Sequence, residues 1–257
     1  SRWGHNYTIV GFDKDIYSSF DFSQDGVVTT LQTASKGNGI DVVIMGDGYS
    51  DRQIAAGNYD RDISKALELL FNEEPYKSFR DYFNVYQVTA VSIGEGYGAG
   101  PTVFGGYFGS GTLVGGDHSK VLQYTQKAIS SDRVNEALVI VMMNRAYYAG
   151  TCYMYYPSRN SDFGTGVSIS YFPLGTDDAM LGELIRHEAG GHGFSKLGDE
   201  YAYHSMGAIP SSEVIAYQHE QADWGWWKNV DFTSDTSSVR WARFISDSRY
   251  ANEGLGA

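Results

Sequence analysis

The stretch from Arg186 to His204 reads RHEAGGHGFSKLGDEYAYH, and its two leading histidines, His187 and His192, stand five residues apart. That spacing constrains the fold more than any other feature of the chain. In a regular α-helix, residues four apart lie about 40° apart around the axis, whereas residues five apart diverge by about 140°. Two imidazoles and a neighbouring carboxylate, here Glu188, are the donors and base that a hydrolytic metal requires. In an ideal helix His187 and His192 would face different directions and could not share one ion. A π-bulge, which widens one turn, restores their common facing. Gly190 and Gly191 stand where the widening must occur. Each costs roughly 1 kcal/mol relative to alanine in a helix interior. Glycine also adopts backbone shapes other residues resist and admits close approach. The spacing and the glycine pair together predict a widened turn at Gly190-Gly191.

With His187 and His192 as ligands of Zn2+ and Glu188 as general base, a third ligand must come from nearby. The metzincin pattern H-E-x-x-H-x-x-G-x-x-H places it six residues after the second histidine. Here that position is Gly198, which has no side chain to offer. Asp199, one residue further and after a glycine-punctuated turn, is the first candidate. Glu200 is the second, and His204 lies further out. Glu213 stands about as far along as the glutamate ligand of thermolysin-like enzymes, but follows Ser211-Ser212 and lacks an Asn-Glu context. Tyr201 and Tyr203 are candidate donors to an oxyanion, or packed core tyrosines. Met206 reads as part of a surface loop or, less comfortably because it follows these candidates so closely, as a methionine turn beneath the metal.

The 257 residues carry 31 acidic against 19 basic side chains, a formal charge of −12. This argues against a nucleic-acid partner, which selects for clustered Lys and Arg. No run of about 18 apolar residues reads as a membrane span. The first residues do not read as a signal peptide, so the start is expected to be a processed terminus or a cut within a longer protein. Its end suggests a catalytic domain truncated there. The single cysteine, Cys152, excludes internal disulfides and cysteine-based zinc clusters, and reads as a small buried apolar group.

Residues 7–10, 16–22 and 27–33 alternate like strands, with Asp25-Gly26 as a hairpin turn. Residues 1–35 read as a β segment, the tail of an N-terminal β domain or an added ribbon. Residues 36–257 read as the catalytic domain. Strands are expected near 40–45, 84–92, 137–143, 153–156 and 167–172, with helices around 59–71 and 121–129. Ser50 and Gln53 form a capping box. A last helix opens at Asp177-Asp178, whose carboxylates suit its positive end, and carries the histidines. This order implies an α/β fold with a mixed sheet. Ten glycines between 94 and 116 lack any phosphate-binding pattern, so that stretch reads as a mobile loop or a flap over the site.

The segment HEAGGHGF followed by Leu197-Gly198-Asp199-Glu200-Tyr201 resembles the IgA-peptidase family of zinc metalloendopeptidases. Residues 41–49 and 74–86 add to the likeness, which extends from about residue 38 to the end. The resemblance implies a zincin-like fold and an exported bacterial endopeptidase, secreted, periplasmic or on the cell surface, often behind an N-terminal β domain. Its substrate would be a protein or peptide, such as a host glycoprotein. It carries over His187 and His192 as ligands and Glu188 as catalytic base, and Asp199 sits where a third ligand is expected. A competing reading is a non-catalytic aromatic-rich module for glycans or glycoproteins. Its structural zinc would be closed by His187, His192, Asp199 and His204. Trp224, Trp226 and Trp227 would then line a groove or pack as a cluster. A serine hydrolase is discounted, because no G-x-S-x-G occurs and Ser168 and Ser170 have no recognisable base.

Overall fold

The computed structural model describes residues 17–98, 100–157, 165–175, 177–199 and 207–255. Eight strands form in chain order: β1 (Val28–Gln32), β2 (Ile40–Asp47), β3 (Phe83–Val88), β4 (Tyr107–Phe108), β5 (Val114–Gly115), β6 (Leu138–Met143), β7 (Thr151–Met154) and β8 (Ser168–Pro173). The principal helices are α1 (Asp51–Ala55), α2 (Asn58–Phe71), α3 (Tyr76–Phe79), α4 (His118–Ala128), α5 (Asp178–Ile185) and α6 (Ser211–Asp223). Six strands make a mixed sheet in the order β1-β3-β2-β6-β8-β7. The four central strands are parallel, and β1 and β7 run antiparallel at the two edges. Among the described residues no helix is long and apolar enough to cross a membrane.

Strand β2 is buried on both faces, which is why Val42 to Met45 reads as a continuous apolar run rather than an alternation. Val42 and Ile44 pack with Tyr59, Ile63 and Leu70 of α2 and with Leu181 and Ile185 of α5. Val43 and Met45 pack on the opposite side, with Val121 and Tyr124 of α4 and with Phe104. The molecule is thus layered helix, sheet, helix. The capping box forms as the sequence predicts: Ser50 accepts from the Gln53 amide, and the Gln53 side chain accepts from the Ser50 amide. Helix α5 starts at Asp177, whose carboxylate accepts from the Met180 amide at 2.8 Å.

Two expectations are corrected. Residues 17–22 form no strand; the Phe20 and Asp21 amides donate instead to the Asp51 carboxylate at 3.1 and 2.9 Å, so they are lost to any ladder. Val28–Gln32 follows the turn at 23–26 and joins the main sheet beside β3. The expected strand at 7–10 lies outside the described residues.

The glycine-rich stretch is also held more firmly than a mobile loop. At the end of β2 the buried Asp47 carboxylate accepts from the Phe104 amide at 2.8 Å, the Tyr97 hydroxyl at 2.8 Å and the Gly106 amide at 3.1 Å. A Cβ at Gly106 would lie 2.3 Å from that carboxylate, so only glycine lets the backbone approach. The chain then turns through the β4–β5 hairpin, whose tip, Ser110 to Leu113, reaches the cleft lined by His187 and His192.

Asp47→Ala leaves the buried Phe104 amide and the Tyr97 hydroxyl without their acceptor, while the Gly106 amide keeps Thr102 Oγ1 at 3.0 Å. It is expected to cost about 3 kcal/mol or more and to open residues 94–116. Denaturant unfolding together with limited proteolysis checks both effects.

Candidate metal centre and its cleft

Beyond Ile185 the helix changes its winding. From Arg186 to Phe194 it runs as a π-helix, and at its end the Ser195 amide donates to the Gly190 carbonyl, five residues back, at 3.0 Å. The sequence predicts a single widened turn at the glycine pair; the structure extends that winding over nine residues. The wider turn returns residues five apart to one face. His187 Nε2 and His192 Nε2 stand 3.2 Å apart. Asp199 Oδ1 lies 3.3 Å from the first and 3.2 Å from the second. These three form the group among the described residues able to hold a metal ion. Glu213, in the first turn of α6, does not join it. Glu200, Tyr201, Tyr203, His204 and Met206 lie outside the described residues.

The glycines act differently from one another. Neither Gly190 nor Gly191 has a positive φ, so backbone freedom is not what the site draws on. A Cβ on Gly190 would meet the Tyr76 ring at 2.8–3.0 Å, and one on Gly193 would meet Leu138 at 2.9 Å and Ser168 Oγ at 3.0 Å. These two let the wide helix press onto α3 and the sheet. Gly191 has only an ordinary contact of 3.6 Å.

Two of the three candidate ligands are oriented from outside. His192 Nδ1 donates to the Leu197 carbonyl at 2.6 Å, which fixes the tautomer and leaves Nε2 free to bind a metal. Asp199 follows Gly198, whose amide and carbonyl are both paired with the Asn229 side chain at 2.9 and 2.8 Å. The end of the π-helix is satisfied by side chains: Ser168 Oγ and Lys196 Nζ both donate to the Gly193 carbonyl, at 2.9 and 2.7 Å. The serines discounted as nucleophiles are buried beneath the helix, with Ser170 Oγ 3.4 Å from the Glu188 carbonyl.

Burial pushes the Glu188 carboxyl above the usual carboxylate range; the imidazoles of His192 and His187 and the Cys152 amide pull it back, while Asp199 raises it. Burial also draws the Lys196 ammonium down to about 8. The Cys152 thiol is pushed up to about 12 by burial, against the pull of the Ser170 hydroxyl and Lys196. That thiol is therefore a poor nucleophile and a poor ligand at neutral pH. The sequence did not single out Lys196, Ser168, Ser170 or Asn229 as supports of the site. Only Lys196 left a trace, as a bulky residue directly after a helix end, where glycine is usual.

The three groups open onto a cleft of about 670 Å³ bounded by the hairpin tip, β7 and the 207–230 region, with Trp227, Tyr217 and Val230 on the far side. Trp226 packs inside, only 3% exposed, so the tryptophans divide between core and groove. A second recess of about 350 Å³ adjoins through Gly150, His187 and Glu188 and is walled by Tyr148, Glu183 and Leu184.

Gly190→Ala is expected to lose about 1–3 kcal/mol through overpacking against Tyr76. Gly191→Ala should change stability by less than about 1 kcal/mol. Denaturant midpoints of the two variants test the asymmetry.

No curated protein matches the chain. Its residues 28–250, however, match the family model for IgA Peptidase M64, which is most of its length, and the protein belongs to that peptidase family.

Proposed function

We propose that the protein is a zinc-dependent metalloendopeptidase with a zincin-like catalytic domain, and that His187, His192 and Asp199 hold the metal. The observation that carries this reading is the ligand triangle. Tetrahedral zinc with bonds of about 2.0–2.1 Å separates its ligand atoms by about 3.3–3.4 Å. The three atoms stand 3.2, 3.3 and 3.2 Å apart. Two imidazoles and one carboxylate also suit zinc in donor type, and a three-ligand set leaves a position for chemistry. When bound, the ion would supply Lewis-acid polarisation of the scissile carbonyl and acidify a water.

Glu188 is the base. It adjoins the first ligand, shares the cleft with all three, and its burial favours taking a proton. It removes the proton of the attacking water and returns it to the departing amine. The substrate lies along β7. Tyr155 N–H donates to the Val167 carbonyl at 2.9 Å, so odd-numbered residues of β7 face β8 and the backbone groups of Cys152 and Met154 face outward, the Cys152 amide toward Glu188. An extended peptide can pair with that edge. The cleft and the adjoining recess together leave room for a chain that extends beyond the scissile bond, which suits an internal peptide bond. Export from the cell, an N-terminal β segment and a host glycoprotein substrate remain part of this proposal by resemblance alone.

Glu188→Ala is expected to keep one zinc per chain and to lower kcat by at least 10³-fold on a protein substrate. Asp199→Ala should weaken zinc binding by 10-fold or more. Metal analysis beside a proteolysis assay reads both. Undiminished cleavage by Glu188→Ala would refute the assignment of the base, and full zinc affinity in Asp199→Ala the assignment of the ligand.

A further inference from the structure

Among the described residues, two that are not glycine have a positive φ: Lys196 at 55° and Trp227 at 51°. Such positions are strained for a residue with a side chain and persist only where the surroundings over-determine them. The two are bonded to each other, the Trp227 amide donating to the Lys196 carbonyl at 2.8 Å. Lys196 occupies the first left-handed position after the helix, where glycine is the usual residue. Here a lysine stands there instead, and it is only 3% exposed.

Its side chain accounts for that choice. Nζ turns back to the Gly193 carbonyl at 2.7 Å and lies 5.8 Å from the centre of the Trp226 ring. The Gly193 carbonyl is at the π-helix terminus, and the amide five residues on, that of Gly198, is engaged by Asn229. A buried carbonyl in that position needs side-chain donors, and Lys196 Nζ shares it with Ser168 Oγ, which donates from the sheet at 2.9 Å. The backbone turn at Lys196 then directs the next three residues. The Leu197 amide closes onto the Gly191 carbonyl at 3.0 Å, and the Leu197 carbonyl receives His192 Nδ1 at 2.6 Å. Gly198 is clamped by Asn229, and Asp199 emerges at the ligand triangle. One turn therefore orients His192 and delivers Asp199.

We propose that Lys196 is a positioning residue of the metal centre: its buried ammonium, bonded to the Gly193 carbonyl, holds the left-handed turn that places Asp199 and aligns His192. The inference rests on the reading of His187, His192 and Asp199 as ligands. It goes beyond that reading by giving a buried, non-ligating cation control over metal affinity.

The test compares wild type, Lys196→Gly, Lys196→Met, Asp199→Ala and the double variant Lys196→Gly/Asp199→Ala. Zinc dissociation constants are measured by chelator competition, and folding by circular dichroism. Lys196→Gly suits the left-handed backbone and removes the amine, whereas Lys196→Met keeps the bulk and removes the donor. Both are expected to fold and to bind zinc 10- to 100-fold more weakly, the usual loss when a ligand's support is removed. Because Lys196 acts through Asp199, Lys196→Gly should cost clearly less in the Asp199→Ala background than in wild type. Zinc affinity within twofold of wild type in both single variants overturns the proposal. So do fully additive losses in the double variant, which would mean a role independent of Asp199. Loss of the fold in both single variants also overturns it, since Lys196 would then serve general stability. Absence of zinc binding by the wild type refutes the ligand reading itself, and the inference falls with it.

Discussion

The five-residue hydrogen-bond winding of residues 186–194 is the constraint on which the site depends. It alone lets His187 and His192, five apart in sequence, bring their Nε2 atoms within 3.2 Å. A helix wound this way is rarely sustained. Its surroundings show what sustains it here. Gly190 and Gly193 remove side chains where Tyr76, Leu138 and Ser168 press closest. Ser168 and Lys196 bond the carbonyl at its end. The chemistry and the packing thus demand the same unusual backbone.

The sheet sets where that helix can lie. Parallel strands covered on both faces put the apolar runs inside, and the π-helix rests over the side of the sheet that ends in antiparallel β7. The cleft forms there, between an edge with outward-facing backbone groups and the ligands. Another of its walls comes from the β4–β5 hairpin, whose position depends on a buried carboxylate at the end of β2. Asp47 gathers Tyr97, Phe104 and Gly106 around itself. A stretch rich in glycine is ordered because a charged group with few alternatives collects its backbone donors.

Much of this was legible in the chain. The apolar runs of β2 and β6, the alternation of β8, the helical spacing of α2 and α4, and the Ser50–Gln53 box each reflect local physics that tertiary structure left unchanged. The irregular parts were not legible. Residues 17–22 alternate like a strand, yet their amides meet Asp51, thirty residues away in sequence, and alternation cannot register a competing acceptor. Of the two reasons given for the glycine pair, close approach holds at Gly190 and backbone freedom at neither. Gly190 is required by a neighbouring ring and not by its own φ, and Gly191 by neither.

The sequence by itself narrowed the candidate metal donors to His187, His192 and one of Asp199, Glu200 and His204, with Glu188 beside them as candidate base, because these side chains are chemically fit for such roles whatever surrounds them. It also determined that a regular α-helix could not unite the two histidines, since five residues at a fixed turn angle must diverge. Only the tertiary structure decided how far the widened winding runs and what ends it. Those depend on contacts from Tyr76, Ser168, Lys196 and Asn229, which lie on different elements. Such contacts are set by packing across the fold, and no local spacing encodes them.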